Sequence, residues 1–169
     1  ADLNEQIATA SFEPSGSFSL KFALNNCLAI SSRCGTNLEL AEKIGENNMF
    51  LFGKTSDEIM KMPMYKPADM INSDERLKSI FLLLDKTLAA VPDGHAIFPL
   101  LSSIRDTDRY FVLTDFDDYV KVQDAVDLAY GDSMIWNMKS LLSVARSGWF
   151  SSDRAIREYA QEIWKVPSL

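Results

Sequence analysis

Histidine and cysteine are scarce in this chain, which has one histidine and two cysteines among its 169 residues. Because His95 is the only histidine, no cysteine–histidine cluster has the spacing of a metal site. Cys27 and Cys34 are also too few to form a disulfide scaffold. We therefore expect no structural metal and a reducing, cytoplasmic setting.

Basic residues are outnumbered as well, since 17 Lys and Arg face 24 Asp and Glu and the formal net charge is −7. A nucleic-acid surface needs a basic stripe, so we expect no nucleic-acid partner. Because the chain as a whole repels anions, any phosphate site must be built locally.

Long apolar runs are missing too. The longest, residues 80–84, is far shorter than the ~20 residues that cross a bilayer, so we expect no membrane partner.

What is present is a chain long enough to bury a true core, with 47% hydrophobic residues. Its apolar pattern predicts an α/β beginning and a mainly helical end. Thr55 and Glu58 form a capping-box pattern for a short helix that ends before Pro63. The predicted elements are helices at 17–26, 37–44, 97–104, 117–130, 133–146 and 152–165, a helix from Ser73 that breaks at 92–94, strands at 27–30 and 49–52, a loop at 63–72, and a strand or extended link at 110–113.

The most informative stretch is residues 13–26, EPSGSFSLKFALNN, in which a Ser-Gly-Ser turn leads into an apolar helix carrying Lys21. The start of a helix exposes unpaired N–H groups and so suits a phosphate. Ser17 and Lys21 are four residues apart and share a helix face. Pyridoxal phosphate needs such a pair, an amine for its aldehyde and a cradle for its phosphate. On local chemistry alone, a helix cap followed by a solvated lysine is the commoner explanation.

Four motifs in order resemble the C-terminal region of the glycogen and starch (α-glucan) phosphorylases. Residues 13–26 are similar to the family pattern EASGTGNMKFALNG, which surrounds its cofactor lysine. Residues 34–39, CGTNLE, resemble the family's DGANVE, and residues 46–53, ENNMFLFG, resemble EENMFIFG. Residues 147–154, SGWFSSDR, are a further close match. The resemblance extends over nearly the whole chain and is weakest at 54–95.

The resemblance implies a fold and an activity. The fold is part of a Rossmann-like (GT-B) C-terminal domain, with short parallel strands followed by a largely helical half. Residues 1–169 then form a single unit, the C-terminal portion of the cofactor-binding domain, with an α/β part at 1–66 and a mainly helical part at 67–169. The activity implied is phosphorolysis of α-1,4-glucans, which releases glucose 1-phosphate with the help of pyridoxal phosphate.

The same resemblance implies roles for residues of the motif. Lys21 corresponds to the catalytic-site lysine that forms a Schiff base with pyridoxal phosphate. Gly16 and Ser17 correspond to positions that bind the cofactor, and Glu13, Ser15 and Gly16 to positions that bind the sugar. For Glu13 and Ser15, an exposed loop is an equal alternative, and for Ser17 a helix cap. Asn37 and Glu39 fit the family pattern but can also serve only to open a helix.

The motif departs from the family at several positions. Phe18 stands where the family has glycine, which lets a backbone approach a ligand closely. Ser19 replaces an asparagine, Asn26 a glycine and Cys34 an aspartate. These changes support an alternative function, that of a catalytically inactive interaction or regulatory module.

The resemblance also indicates what is missing. In the family this region is the last part of a longer enzyme whose active site lies between two domains, and the chain begins at Ala1 without an initiator Met. We therefore expect a fragment that has no phosphorolysis activity alone, because one wall of a cleft cannot position two substrates. Its expected partners are the N-terminal phosphorylase portion, from the same precursor or a separate chain, and the glucan and phosphate substrates. An apolar stripe on the last helix also suggests a homo-oligomer.

Overall fold

The first third of the chain forms a parallel β-sheet with connecting helices. The computed structural model describes residues 1–9 and 17–166, and within them the strand order is β1-β2-β3 with both pairs parallel. The elements are β1 (Leu3–Gln6), α1 (Phe18–Leu24), β2 (Leu28–Ser32), α2 (Gly35–Ile44) and β3 (Phe50–Phe52). This confirms the predicted α/β fold and parallel sheet.

The central strand β2 organises the core because it is buried along its whole length. Ile30 pairs in register with Glu5 of β1 and Phe50 of β3. Since side chains alternate along a strand, Leu28 and Ile30 lie on one face and Ala29 on the other. The cluster on the Ala29 face contains Ala23, Ala29, Leu40, Ala41, Ile44, Met49 and Leu51. The cluster on the opposite face contains Leu28, Ile30, Phe50, Phe52, Val126, Ala129 and Trp136.

Helices make up most of the rest of the described chain, which agrees with the predicted mainly helical end. The capping box at Thr55 and Glu58 is present, and a third apolar cluster around Leu77, Phe81 and Leu101 joins the middle helices. These helices are α3 (Ser56–Lys61), α4 (Pro67–Ser73), α5 (Glu75–Ala90), α6 (Phe98–Asp106), α7 (Phe116–Tyr130), α8 (Ser133–Ser147) and α9 (Ser152–Glu158).

Helix α8 packs against the amino ends of the strands. Ser140 Oγ donates to the carbonyl oxygen of Asn26 at 2.9 Å, just before β2. Arg146 Nη1 donates to the carbonyl oxygen of Ile44 at 2.9 Å, at the end of α2. Helix α8 covers the amino edge of the sheet. A ligand site can therefore lie at the opposite, carboxyl edge, where the strands end.

Two local predictions were wrong. Residues 63–72, predicted as a loop, contain α4, which starts at Pro67 because a proline in the first helical turn loses no hydrogen bond. Residues 110–113, predicted as a strand or extended link, run into a 3₁₀ turn at Val112–Asp115, and Phe111 before it is left-handed with φ 57°.

Asp108 explains the second error. Its side chain is 2% exposed and accepts hydrogen bonds from the N–H groups of Val112 and Leu113, each at 2.9 Å. It also accepts the hydroxyl of Tyr65. Burial and the Asp108 carboxylate raise the pKa of Tyr65 well above its ordinary value. A carboxylate that binds two successive N–H groups imposes a turn that an apolar pattern alone does not reveal.

The last helix differs from its prediction in one respect. The predicted helix at 152–165 is α-helical only over α9, and a wider π-helical segment, Tyr159–Trp164, follows it. Its apolar residues are largely in solvent, with Ile163 66% exposed and Trp164 57% exposed. In the two described ranges, no helix is both long and apolar enough to span a membrane.

Candidate functional site

Lys21 lies on α1, which starts at the carboxyl edge of the sheet. Helices that connect parallel strands return the chain from the carboxyl ends to the amino ends, so their first residues lie at the carboxyl edge. The N–H of Lys21 donates to the carbonyl oxygen of Ser17 at 3.2 Å. Ser17 and Lys21, two of the three predicted cofactor residues, are therefore one helical turn apart, and both are exposed.

The amine of Lys21 is accessible. Its Nζ lies 5.5 Å from the centre of the Phe18 ring, a cation–π distance. Phe18 is itself 59% exposed, so it lies beside the lysine without filling the interior. Ser17 precedes α1, and its side chain makes no capping hydrogen bond. The structure therefore does not bear out a side-chain cap as the role of Ser17.

A polar network that the sequence analysis did not identify holds α1 in place. The buried Ser19 Oγ donates to Asn37 Oδ1 at 2.7 Å, and Asn37 Nδ2 donates to the carbonyl oxygen of Ser32 at 3.1 Å. Ser32 Oγ in turn accepts the N–H of Ala8 at 3.1 Å. These bonds join α1, α2 and the ends of β1 and β2. Asn37, which fits the family pattern and for which opening a helix was the alternative role, positions the helix that carries Lys21. Its place in the CGTNLE motif was the signal.

The other residues singled out in the sequence are placed differently. Glu13, Ser15 and Gly16 lie outside the described residues. Glu39 is exposed on α2. Cys34 has an extended backbone before α2 and makes no side-chain cap, but its Sγ lies at the network, 3.5 Å from Ser32 Oγ and 3.7 Å from Asn37 Nδ2.

Two cavities lie at the carboxyl edge. An apolar one of about 270 Å³ is located where β1 ends and is lined by Ile7, Thr9, Phe52, Tyr119 and neighbours. Tyr119 also donates its hydroxyl to Glu5 Oε2 at 2.7 Å, and burial raises its pKa. A larger, polar cavity lies where β2 and β3 end. Ligands in open α/β sheets bind at this edge.

A family model described as carbohydrate phosphorylase matches residues 1–166. The chain belongs to the carbohydrate phosphorylase family. It is 41% identical over 168 residues to a glycogen phosphorylase from Synechocystis sp.. It is 38% identical over 172 residues to the H isozyme of α-glucan phosphorylase from Solanum tuberosum, and 37% identical over 167 residues to the liver form of glycogen phosphorylase from Homo sapiens.

Each of these alignments covers 98% of the chain and 20% of the relative. The chain therefore spans about a fifth of the length of the phosphorylases it matches. Nearly all of the chain is shared with them, so the resemblance noted in four motifs is confirmed as membership of the family.

The described residues around Lys21 are of the kinds that pyridoxal phosphate, the phosphorylase cofactor, requires. An aldehyde needs an amine that it can reach, and Lys21 is an exposed residue. A phosphate needs hydrogen-bond donors near that amine, and the hydroxyl of Ser17, one turn away, is not used as a cap of α1. Phe18 lies alongside and leaves the amine accessible.

Proposed function

We propose that this chain is the cofactor-bearing C-terminal part of a glucan phosphorylase. Such an enzyme releases glucose 1-phosphate from α-1,4-glucans by phosphorolysis and uses pyridoxal phosphate. The supporting observation is the exposed Lys21 on α1, within a motif that resembles the family's cofactor lysine and at the edge of the sheet where ligands bind. We place it in the cytoplasm.

In this proposal the residues of the motif hold the cofactor and the sugar. Lys21 attaches pyridoxal phosphate, and Gly16 and Ser17 donate hydrogen bonds to its phosphate. Glu13, Ser15 and Gly16 bind glucose hydroxyls. When bound, the cofactor supplies a phosphate group that donates and accepts a proton beside the substrate phosphate. Asn37 fixes the direction of α1 and so the position of the Lys21 amine.

The remainder of the site is supplied by a partner. We propose that residues 1–66 and 67–169 are the α/β and helical parts of the C-terminal portion of the cofactor domain. The N-terminal phosphorylase portion, in the same precursor or a separate chain, then provides the opposite wall of the cleft. Because positioning contributes much of the rate, the chain alone is expected to release no glucose 1-phosphate from glycogen.

Cofactor trapping tests the proposal. The folded chain is mixed with pyridoxal phosphate, reduced with borohydride and mapped by peptide mass spectrometry. We expect one adduct, on Lys21, which is absent from Lys21→Ala and unchanged in Lys86→Ala, a matched exposed lysine on α5. Labelling spread equally over surface lysines would falsify the proposal that Lys21 belongs to a specific cofactor site.

The inactive module is the second candidate, and Phe18 favours it. Its ring lies within cation–π distance of the Lys21 amine, where the family has glycine. Trapping with Phe18→Gly separates the two candidates. A Lys21 adduct in wild type supports the enzyme, whereas an adduct that forms only after Phe18→Gly shows that the ring has closed the site.

A further inference from the structure

Three methionines occupy alternate positions where α3 ends. Met60 is in the last turn of α3, Met62 follows the helix directly, and Met64 lies in the irregular stretch before α4. The stretch 60–64 reads MKMPM, so three thioether sulfurs fall within five consecutive residues. It is separate in the chain from the motif that carries Lys21.

Packing does not account for these side chains. Methionine commonly fills irregular gaps in a core, as the buried Met49 does here. Met64, in contrast, is 100% exposed and Met60 74% exposed, while Met62 between them is half-buried. A ligand can therefore reach this stretch from solvent.

The backbone keeps the three residues close together. The N–H of Met62 donates to the carbonyl oxygen of Ile59 at 3.1 Å, which closes the last turn of α3. Met62 then has φ −70° and ψ 130°, the extended conformation that a following proline favours. Residues two apart are separated by at most about 7 Å even in a fully extended chain. Because a methionine side chain has three rotatable bonds, the outer two sulfurs can meet an ion held at the middle one.

The chemistry of the sulfurs selects the kind of ion. Thioether sulfur is soft and favours Cu(I), whereas carboxylate oxygen favours Mg²⁺ and Ca²⁺. Asp57 and Glu58 lie about one turn before Met60, but no cluster of His, Cys, Asp or Glu within residues 1–9 and 17–166 could hold a metal ion. Residues 57–69 contain three acidic and two basic side chains, so this part of the chain does not repel a monovalent cation.

We propose that Met60, Met62 and Met64 form a binding site for a soft monovalent cation of the Cu(I) class. Each sulfur donates a lone pair to the ion, and no bond is broken. Since a thioether carries no proton to lose, binding is independent of pH between about 5 and 8, unlike binding by histidine or cysteine.

Methyl NMR of the full chain tests this site. The methionine methyl groups are labelled with carbon-13, and Ag(I), a soft monovalent ion that is stable in air, is titrated in chloride-free buffer. We expect the methyl signals of Met60, Met62 and Met64 to shift together and to saturate. Met134, 77% exposed on α8, is the internal control because it lacks two further methionines at alternate positions. Equal shifts at Met134, or no saturable shift in the stretch 60–64, overturn the proposal.

Uptake by cysteine is separated with a variant. Cys34 is partly exposed, and thiolates also bind soft ions, so the titration is repeated on Cys34→Ser at about pH 5 and 8. Methionine shifts that persist and saturate alike at both pH values support a thioether site. Shifts that vanish in Cys34→Ser assign the ion to the thiol and reject the site.

Substitutions of similar size assign the ligands. Met62→Leu and Met64→Leu keep the apolar volume but remove a sulfur. Each is expected to weaken Cu(I) binding about tenfold or more, as measured without oxygen by competition with a chromogenic Cu(I) chelator. Met134→Leu is the control and should bind as wild type. Wild-type affinity in both Met62→Leu and Met64→Leu contradicts the assignment. Lys21→Ala should leave the affinity intact, so the outcome is independent of cofactor trapping.

Discussion

At the scale of single residues, Asp108 accepts more hydrogen bonds within the fold than its sequence context indicates. It stands in a polar stretch between two helices, where an aspartate is usually solvated. In the fold it is buried and accepts hydrogen bonds from Tyr65, Val112 and Leu113. The turn that it closes leads into the 3₁₀ segment with Thr114 and Asp115, both of which line the polar cavity.

Replacing Asp108 should therefore destabilise the chain strongly. Asp108→Ala leaves three donors without their acceptor and is expected to lower the free energy of unfolding by about 3 kcal/mol. Asp106→Ala, at an exposed position nearby, should change it by less than about 0.5 kcal/mol. Urea unfolding followed by circular dichroism measures both, and equal losses would contradict the role given to Asp108.

Tyr65 should make stability depend on alkaline pH. Its pKa is raised in the folded state by burial and by Asp108, so folding favours the protonated phenol. The stability it contributes is full below the ordinary tyrosine pKa of about 10 and is lost as pH rises above it, at up to about 1.4 kcal/mol per pH unit.

The comparison is wild type against Tyr65→Phe, which cannot ionise. Urea unfolding at a series of pH values from neutral to about 11 is expected to show a steeper alkaline loss in wild type. Parallel curves for the two proteins would contradict the assignment to Tyr65.

At the scale of elements, the docking of α1 depends on the Ser19–Asn37 pair. Both side chains are buried and their hydrogen bond measures 2.7 Å. Asn37→Ala should lower the free energy of unfolding by about 1–3 kcal/mol, because Ser19 and the carbonyl of Ser32 lose their partner. Amide hydrogen exchange in α1 should become faster.

A matched control for that change is Asn72→Ala, an exposed asparagine on α4. It should leave exchange in α1 unaltered. If Asn37→Ala also leaves it unaltered, the pair does not position Lys21.

The elements predicted well are those in which local signals agree with the fold. β2 and β3 are short apolar runs bounded by turn residues, and Gly45 marks the end of α2 because it adopts φ 95°. β1 was not predicted as a strand, since the alternating pattern of LNEQ is weak without its neighbour β2. Pro67 was read as part of a loop, although proline also begins helices.

Only part of the candidate site can be predicted from the sequence, because a local pattern reveals only residues that are close together in the chain. Lys21 and Ser17 lie in one contiguous motif, so spacing alone places them on one helix face. The polar cavity joins residues from the ends of β2 and β3 with α7, far apart in the chain, and no local pattern brings Arg33 to Lys54. Likewise, the partner of Ser19 is 18 positions away, and only the packing of α1 on α2 identifies it.

At the scale of the whole molecule, the apolar surface of the C-terminal segment, which consists of α9 and Tyr159–Trp164, predicts self-association. Ile156 is 53% exposed and Ile163 66% exposed, and such surface favours burial against another chain. Analytical ultracentrifugation of wild type should show mass that rises with concentration. The double variant Ile156→Gln, Ile163→Gln should show less association.

The control is Leu128→Gln, which removes an exposed leucine on α7, away from that segment. It should associate as wild type does. Monomers at every concentration in wild type would argue against the homo-oligomer.

The way α8 is attached has a consequence for how this region can vary. Ser140, Ser143 and Arg146 donate to carbonyl oxygens of Asn26, Asn48 and Ile44. Every amino acid carries a main-chain carbonyl, so these three bonds alone require no particular side chain at 26 or 48. Both asparagines are nevertheless constrained. Asn26 Oδ1 also accepts from Ser140 at 2.7 Å and its φ is 62°, and Asn48 Nδ2 donates to the carbonyl oxygen of Ile44 at 2.8 Å. In a saturation library, substitutions should therefore be depleted on both sides of the junction, at 140, 143 and 146 and at 26 and 48.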